Sequence, residues 1–186
     1  MAFTNLTNHF LIAMPGLQDP NFEKSVTYIC EHTEEGAMGI VINQPLDIPV
    51  SEILKQLEIG DIPQGANDPP IYLGGPVSGE RGFVLHERGR RWDSTLDIEN
   101  GISVTTSRDI LEAIATGKGP ERTLIALGYA GWAGGQLEQE LAENAWLAVA
   151  ADKSIIFDLP PQQRWDAAAA DLGVDLSLLT TDAGHA

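Results

Sequence analysis

One cysteine, four histidines and 11 basic residues are all that this 186-residue chain offers to several large classes of chemistry. The lone thiol, Cys30, excludes an internal disulfide and any cysteine-rich zinc site, and it fits a reducing compartment. His9, His32, His86 and His185 show no metal-ligand spacing, so neither a structural metal nor a cofactor is expected. Against 27 Asp and Glu, the 11 Lys and Arg leave a net charge of −16 and a pI near 4.4. Such a field repels phosphate backbones and anionic bilayers, so direct nucleic-acid binding and membrane attachment are not expected. No apolar run approaches the ~20 residues that span a bilayer. The first basic residue is Lys24, and Phe10 to Met14 is too short for a signal-peptide core. These absences point to an acidic cytoplasmic protein.

What is present is enough for one aliphatic core: 43% of residues are hydrophobic and only 6% aromatic. Phe10 to Met14 reads as a strand stopped at Pro15-Gly16, and Asp19-Pro20-Asn21-Phe22 as a turn. Ser25 to His32 and Ala37 to Asn43 read as a hairpin closed by Thr33-Glu34-Glu35-Gly36. Ser51 suits the N-cap of a short helix carrying Ile53, Leu54 and Leu57, ended by Gly60. Ile62 to Pro70 reads as a surface loop. Ile71 to Val77 runs from strand into turn, and Arg81 to His86 is a further strand. Glu87 to Trp92 holds Arg88, Arg90 and Arg91, the one dense basic cluster, read as a solvated hairpin tip. Ile102 to Thr105 is a strand, after which Ser107 caps a helix with Ile110, Leu111 and Ile114 inward and Gly117 past its end.

Thr123 to Leu127 is short and apolar enough for a buried strand. After it, Gly128 to Gly135 reads as a glycine-rich turn, and a helix carrying Leu137, Leu141, Ala145 and Ala148 runs on to Leu147. Ser154 to Phe157 suggests a short strand. Pro160-Pro161 opens a last helix, Gln162 to Leu172, with Trp165, Ala168 and Leu172 on one face, and Thr180 to Ala186 is expected as a loose tail. Interspersed strands, helices and hairpins give an α+β fold: one domain over 1–186, with a mixed sheet and flanking helices.

Candidate chemistry is sparse. Cys30 and His32 lie two apart in a strand, so they share a face with Val26 and Tyr28, and a thiol beside an imidazole is the minimum for a reactive thiolate. The same thiol also reads as a small core group in the apolar run Val26 to Cys30. The turn at 128–135 matches neither a Walker nor a dinucleotide fingerprint, and it reads as a support for Tyr129 and Trp132, or as a pocket wall built from those rings. His86 can be a base with Arg81 as an anion clamp, or a satisfied strand-end residue. A ligand site is therefore expected among Gly74, Gly75, Arg81, His86, Tyr129, Trp132 and Gln136.

A set of runs then places the chain. Ala13-Met14-Pro15, Cys30-Glu31-His32, Glu35-Gly36-Ala37-Met38-Gly39, Gly74-Gly75-Pro76-Val77 and Arg81-Gly82-Phe83-Val84-Leu85-His86 resemble the YqgE/AlgH family of bacterial proteins. So do Gly128-Tyr129-Ala130-Gly131-Trp132, Gly135-Gln136-Leu137-Glu138, Asn144-Ala145-Trp146-Leu147 and Gly184-His185-Ala186. The resemblance covers nearly the whole chain in order. It implies a compact cytoplasmic α+β domain without a settled activity, in a family some of whose members are labelled transcriptional regulators. No helix-turn-helix and no basic recognition face is apparent in this sequence, so any effect on transcription is expected to be indirect. A regulatory protein that binds a small ligand or a protein partner is the leading expectation. The alternative is an enzyme with hydrolytic or thiol chemistry at Cys30/His32 or His86/Arg81.

Overall fold

The hairpin legible around Thr33 to Gly36 becomes β2 (Val26–Thr33) and β3 (Gly36–Val41), with β1 (His9–Ala13) beside β2. A computed structural model describes residues 4–15 and 23–173, so the turn at Asp19 to Phe22 and the tail at 180–186 lie outside the described residues. The remaining elements are β4 (Pro45–Pro49), α1 (Val50–Gln56), β5 (Pro70–Leu73), β6 (Val77–Glu87), β7 (Thr95–Asp97), β8 (Ile102–Thr105) and α2 (Arg108–Ala115). After them come β9 (Thr123–Ala133), α3 (Gln136–Ala142), β10 (Trp146–Ala150), α4 (Lys153–Phe157) and α5 (Pro161–Ala170). The strands form one curled sheet in the order β10-β1-β2-β3-β9-β6-β8-β7, antiparallel along that path. β5 joins it parallel to β9 and carries β4, so the sheet is mixed and the fold α+β, as expected from the sequence.

One sheet face carries a continuous core: Phe10, Tyr28, Ile40, Phe83, Leu85 and Leu124 pack there against α4 and α5 through Ile155, Ile156 and Ala168. The other face is split. On the β10-to-β9 half, Leu11, Ile29 and Ala130 meet Leu137 of α3 together with Trp132 and Trp146. On the β9-to-β8 half, Ile71, Val84 and Ile125 meet Leu54 of α1 and Ile110 of α2.

β9 crosses between these two halves, and glycine lets it do so. Leu124 and Ala126 face the continuous core, as does Tyr129 three residues on, while Ile125 lies in one of the split clusters and Ala130 and Trp132 in the other. Strict alternation would put Tyr129 on the opposite face from Ala126, so the strand re-phases between them, at Gly128, whose φ is +78°. The β6 ladder shifts at the same place, where Val77 pairs Tyr129 but Gly82 pairs Leu127. A Cβ on Gly75 would fall onto the Tyr129 carbonyl, and one on Gly74 onto the Gly128 oxygen. Gly74 and Gly75 thus serve backbone-to-backbone contact rather than space for a ligand.

Several elements depart from the sequence expectation. The glycines at 128 and 131 belong to strand, because β9 runs on to pair with β3 from Gly39↔Ala130 to Gly36↔Ala133, and only Gly134 and Gly135 turn. The following helix stops at Ala142 instead of Leu147. Asn144 takes φ +61°, and Trp146 to Ala150 pair with β1, their side chains alternating between the two core faces. Ser154 to Phe157 is helix α4 rather than strand: Asp152 accepts the Ser154 amide at 2.9 Å, and Ile155 and Ile156 are both buried. Pro49, not Ser51, occupies the N-cap of α1, and the Ser51 hydroxyl donates to Asp68 at 2.5 Å. Leu172 is exposed beyond the end of α5, not on its buried face.

The close approach of the two glycine segments makes a direct prediction. Gly75→Ala or Gly128→Ala should each destabilise the protein by about 3 kcal/mol, from overpacking at the first position and backbone strain at the second. In calorimetry that is a fall in Tm of roughly 6–12 °C for a chain of this size. Gly79→Ala, whose added Cβ would meet nothing within 4 Å, should melt with the parent protein.

Candidate functional site

The re-phased stretch of β9 floors a broad open cleft of about 880 Å³ that also draws on β2, β3, β6, β8 and the approach to β7. Tyr129 meets Phe83 edge-on at 5.7 Å between centroids, and the Arg81 guanidinium lies 5.3 Å from the Phe83 centroid. Cation, ring and ring stack along one face because Arg81 and Phe83 are two apart in β6. Met38 and Val104 complete the apolar floor, and Thr33, Ser94 and Thr106 bring hydroxyls to it. The lining carboxylates are Glu31, Glu35 and Asp93, and the lining cation is Arg81. Val77 and Leu96, exposed to 38% and 49%, also line the cleft, an arrangement that leaves apolar surface in water.

The other expected site residues have different surroundings. Trp132 borders the cleft, but its ring packs on Trp146 at 6.1 Å and on Leu137. Both indoles donate to the same Glu140 oxygen, Trp132 at 3.0 Å and Trp146 at 2.9 Å, while Gln136 donates to the other oxygen at 2.9 Å. Gln136 also accepts the Ala133 amide at 3.0 Å, so it closes the β9-to-α3 turn. Sequence reasoning missed Glu140; the signal was an i, i+4 spacing from Gln136 and two tryptophans short of a partner. It also missed Arg164, a buried cation of α5 that donates to the carbonyls of Ile42 and Leu159 and sits 5.1 Å from the Tyr72 centroid, fixing the helix to the sheet.

Cys30 and His32 are not brought together. Cys30 keeps the core face of Val26 and Tyr28 by ordinary alternation, but the β2–β3 register slips between Ile29 and Glu31, and this bulge turns His32 to the other face, where it meets Leu6 and Glu138. Burial pushes the Cys30 thiol well above its ordinary value, so it stays protonated. His32 accepts the Leu6 amide on Nδ1 at 3.0 Å and donates through Nε2 to Glu138 at 2.9 Å, pinning the N-terminal segment to α3.

His86 and Arg81 are likewise apart, because positions five residues apart on one strand point to opposite faces. His86 is fully buried, edge-on to Trp92 at 5.3 Å. Nδ1 donates to the Glu87 carbonyl at 2.8 Å, which leaves Nε2 to accept from Thr105 at 2.7 Å. Thr105 in turn accepts from Thr95 at 2.8 Å, and Thr95 accepts the Trp92 amide at 2.8 Å. This chain is closed at both ends and satisfies both nitrogens of a neutral imidazole. Burial, against the opposing pull of the Glu87 carbonyl and Asp97, holds the His86 pKa below its ordinary 6.5.

Two measurements follow. Native Cys30 should react with a disulfide reagent on the order of a hundredfold or more slower than the same thiol in denaturant. Because the unfolded chain binds a proton to His86 that the folded chain does not, stability should fall as pH drops through about 6.5 toward the lower native pKa. A His86→Gln protein, less stable at neutral pH, should lose less on the same acidification when Tm is followed by circular dichroism.

The sequence pattern described as AlgH-like, DUF179, matches residues 10–177. A UPF0301 protein of Thioalkalivibrio sulfidiphilus is 60% identical over 185 residues, covering 100% of this chain and 99% of its own. One from Nitrosococcus oceani is 58% identical, covering 96% of both chains. The solution structure of the AlgH protein from Pseudomonas aeruginosa superposes with a TM-score of 0.80 at 55% identity, covering 100% of this chain and 98% of that one. The crystal structure of protein DIP2367 from Corynebacterium diphtheriae shares the fold at a TM-score of 0.75 and 21% identity, over 97% of this chain and 94% of that one. With the expected motifs, the fold and these relatives in agreement, the chain belongs to the AlgH-like, UPF0301 family.

Proposed function

We propose that this protein is a cytoplasmic binding protein that regulates a partner polypeptide held in the Arg81 cleft. The observation that carries this reading is the pair of exposed aliphatic side chains, Val77 and Leu96, lining a cleft whose floor is a fixed stack of Arg81, Phe83 and Tyr129. Exposed apolar groups around an aromatic and arginine centre, with polar groups at the margin, are the ingredients of a protein-recognition surface. Glu31, Glu35 and Asp93 favour a partner segment with basic residues flanking its apolar ones, and Arg81 supplies donors for that segment's carbonyls or carboxylate. Binding is favoured over catalysis because the two candidate dyads are not assembled: the thiol is sunk in the core, and the His86 imidazole is consumed by its hydroxyl chain. An influence on transcription, which the family resemblance implies for some members, then runs through the partner and not through DNA, consistent with the acidity of the chain.

The reading is tested by comparing immobilised parent protein with Arg81→Glu and Tyr129→Ala for retention of proteins from a bacterial extract. Arg81 is exposed, so its substitution should leave Tm within about 2 °C. One protein retained in near-stoichiometric amount by the parent should fall at least tenfold with Arg81→Glu. Equal retention by the parent and both variants contradicts the assignment of this cleft.

A further inference from the structure

The turn after β6 and the turn after α2 meet in a small recess that shares no lining residue with the cleft. Glu87, Arg88, Gly89, Arg90 and Trp92 line it from one side and Lys118 to Glu121 from the other, around a volume of about 240 Å³. Five of the chain's 11 basic residues, Arg88, Arg90, Arg91, Lys118 and Arg122, lie in these two turns of a molecule whose net charge is −16. Their carboxylate partners are unevenly shared. Asp97 takes both Arg91 at 2.5 Å and Arg88 at 3.8 Å, and Glu87 takes Arg122 at 3.5 Å and Lys153 at 3.6 Å. The Ser103 hydroxyl and then the two arginines hold Asp97 below its ordinary pKa, so it stays charged and keeps them. Arg90 and Lys118 have no carboxylate partner among the described residues; Arg90 instead lies 5.3 Å from the Trp92 ring centroid.

A second observation points the same way. The Trp92 side chain lines the recess, and its buried indole N–H has no hydrogen-bond acceptor among the described residues, a costly state for a donor. The amides of Gly89, Arg90 and Gly119 take no backbone acceptor among the described residues, and a Cβ on Gly89 would meet nothing within 4 Å. Among the described residues that line the recess, two cations without a carboxylate partner, Arg90 and Lys118, thus stand beside one carboxylate without a cation partner, Glu121.

We propose that this recess is an anion site that takes the phosphoryl group of a small phosphorylated molecule. A phosphoryl group brings up to two negative charges and three acceptor oxygens, and its charge matches the Arg90 and Lys118 cations that line the recess without a carboxylate partner. The volume admits one such group and a few further atoms. A long polyanion would meet the −16 field of the whole molecule, whereas a small phosphate meets chiefly the local cations within a Debye length. The site is independent of the Arg81 cleft, so it stands or falls apart from the partner proposed there.

The test is a titration of the full-length protein with pyrophosphate at constant ionic strength, following the four tryptophan indole resonances by ¹H–¹⁵N correlation, with Trp92→Phe used to assign the Trp92 peak. The Trp92 indole peak should move saturably while the peaks of Trp132, Trp146 and Trp165 stay in place. Arg90→Ala and Lys118→Ala, both exposed positions, should each weaken binding tenfold or more without altering the rest of the spectrum. A Trp92 peak that does not move, or moves equally with sodium chloride alone, overturns the site, as does unchanged affinity in the Arg90→Ala, Lys118→Ala double variant. A short single-stranded oligonucleotide that binds the recess more tightly than pyrophosphate would overturn the assignment to small phosphates.

Discussion

The contact of two bare backbones, Gly74-Gly75 against Gly128-Tyr129, is the constraint on which the rest of the molecule depends. It lets β9 shift its pleat in the middle of the sheet without leaving the sheet, so a single strand serves α1 and α2 at one end and α3 at the other. Side chains at these glycines would separate β5 and β6 from β9, and with them the floor of the cleft. Tyr129 follows the shifted pleat directly. Its ring faces Phe83 only because the bulge returns it to the face that Ala126 already occupies.

Around that frame, most of the polar chemistry serves to hold parts in place. His32 ties the N-terminal segment to α3, Glu140 gathers two indoles and an amide, Arg164 anchors α5, and His86 ends a chain of hydroxyls beneath Trp92. Each of these groups is buried or half-buried with its partners supplied, the condition under which a polar side chain stabilises a unique arrangement. Arg81, stacked on a ring but open to water, has the opposite character, and so do Val77 and Leu96 beside it. The division between spent and unspent groups separates the proposed recognition surface from the scaffold.

The sequence revealed the sheet-forming runs, the hairpin at Thr33 to Gly36 and the helices after Ser107 and Pro160, because local periodicity and turn chemistry decide them. It could not reveal that Gly128 and Gly131 sit in a strand, since glycine signals a turn and a bulge alike, and only pairing with β3 distinguishes them. The helix expected to run on to Leu147 gives way from Trp146 to a strand paired with the edge of β1, a long-range event. Tyr129 and Arg81, expected at a ligand site, line the cleft, whereas the place of Met38, Val77 and Leu96 in the same lining was not legible, because it arises from strands brought together by topology. Cys30 and His32 illustrate the converse. Two-residue spacing places them on one face, and a single bulge, invisible in the residue types, puts them on opposite ones.

A photo-crosslinking residue, p-benzoylphenylalanine, placed in living cells at Leu96 or at Leu57 decides whether the Arg81 cleft holds the proposed partner. The two positions are comparably exposed, at 49% and 41%, and only Leu96 lines the cleft. A discrete cross-linked species from position 96, absent from position 57 and lost on adding Arg81→Glu, is the predicted result. Equal cross-linking from both positions, or a species at position 96 that survives Arg81→Glu, would contradict it.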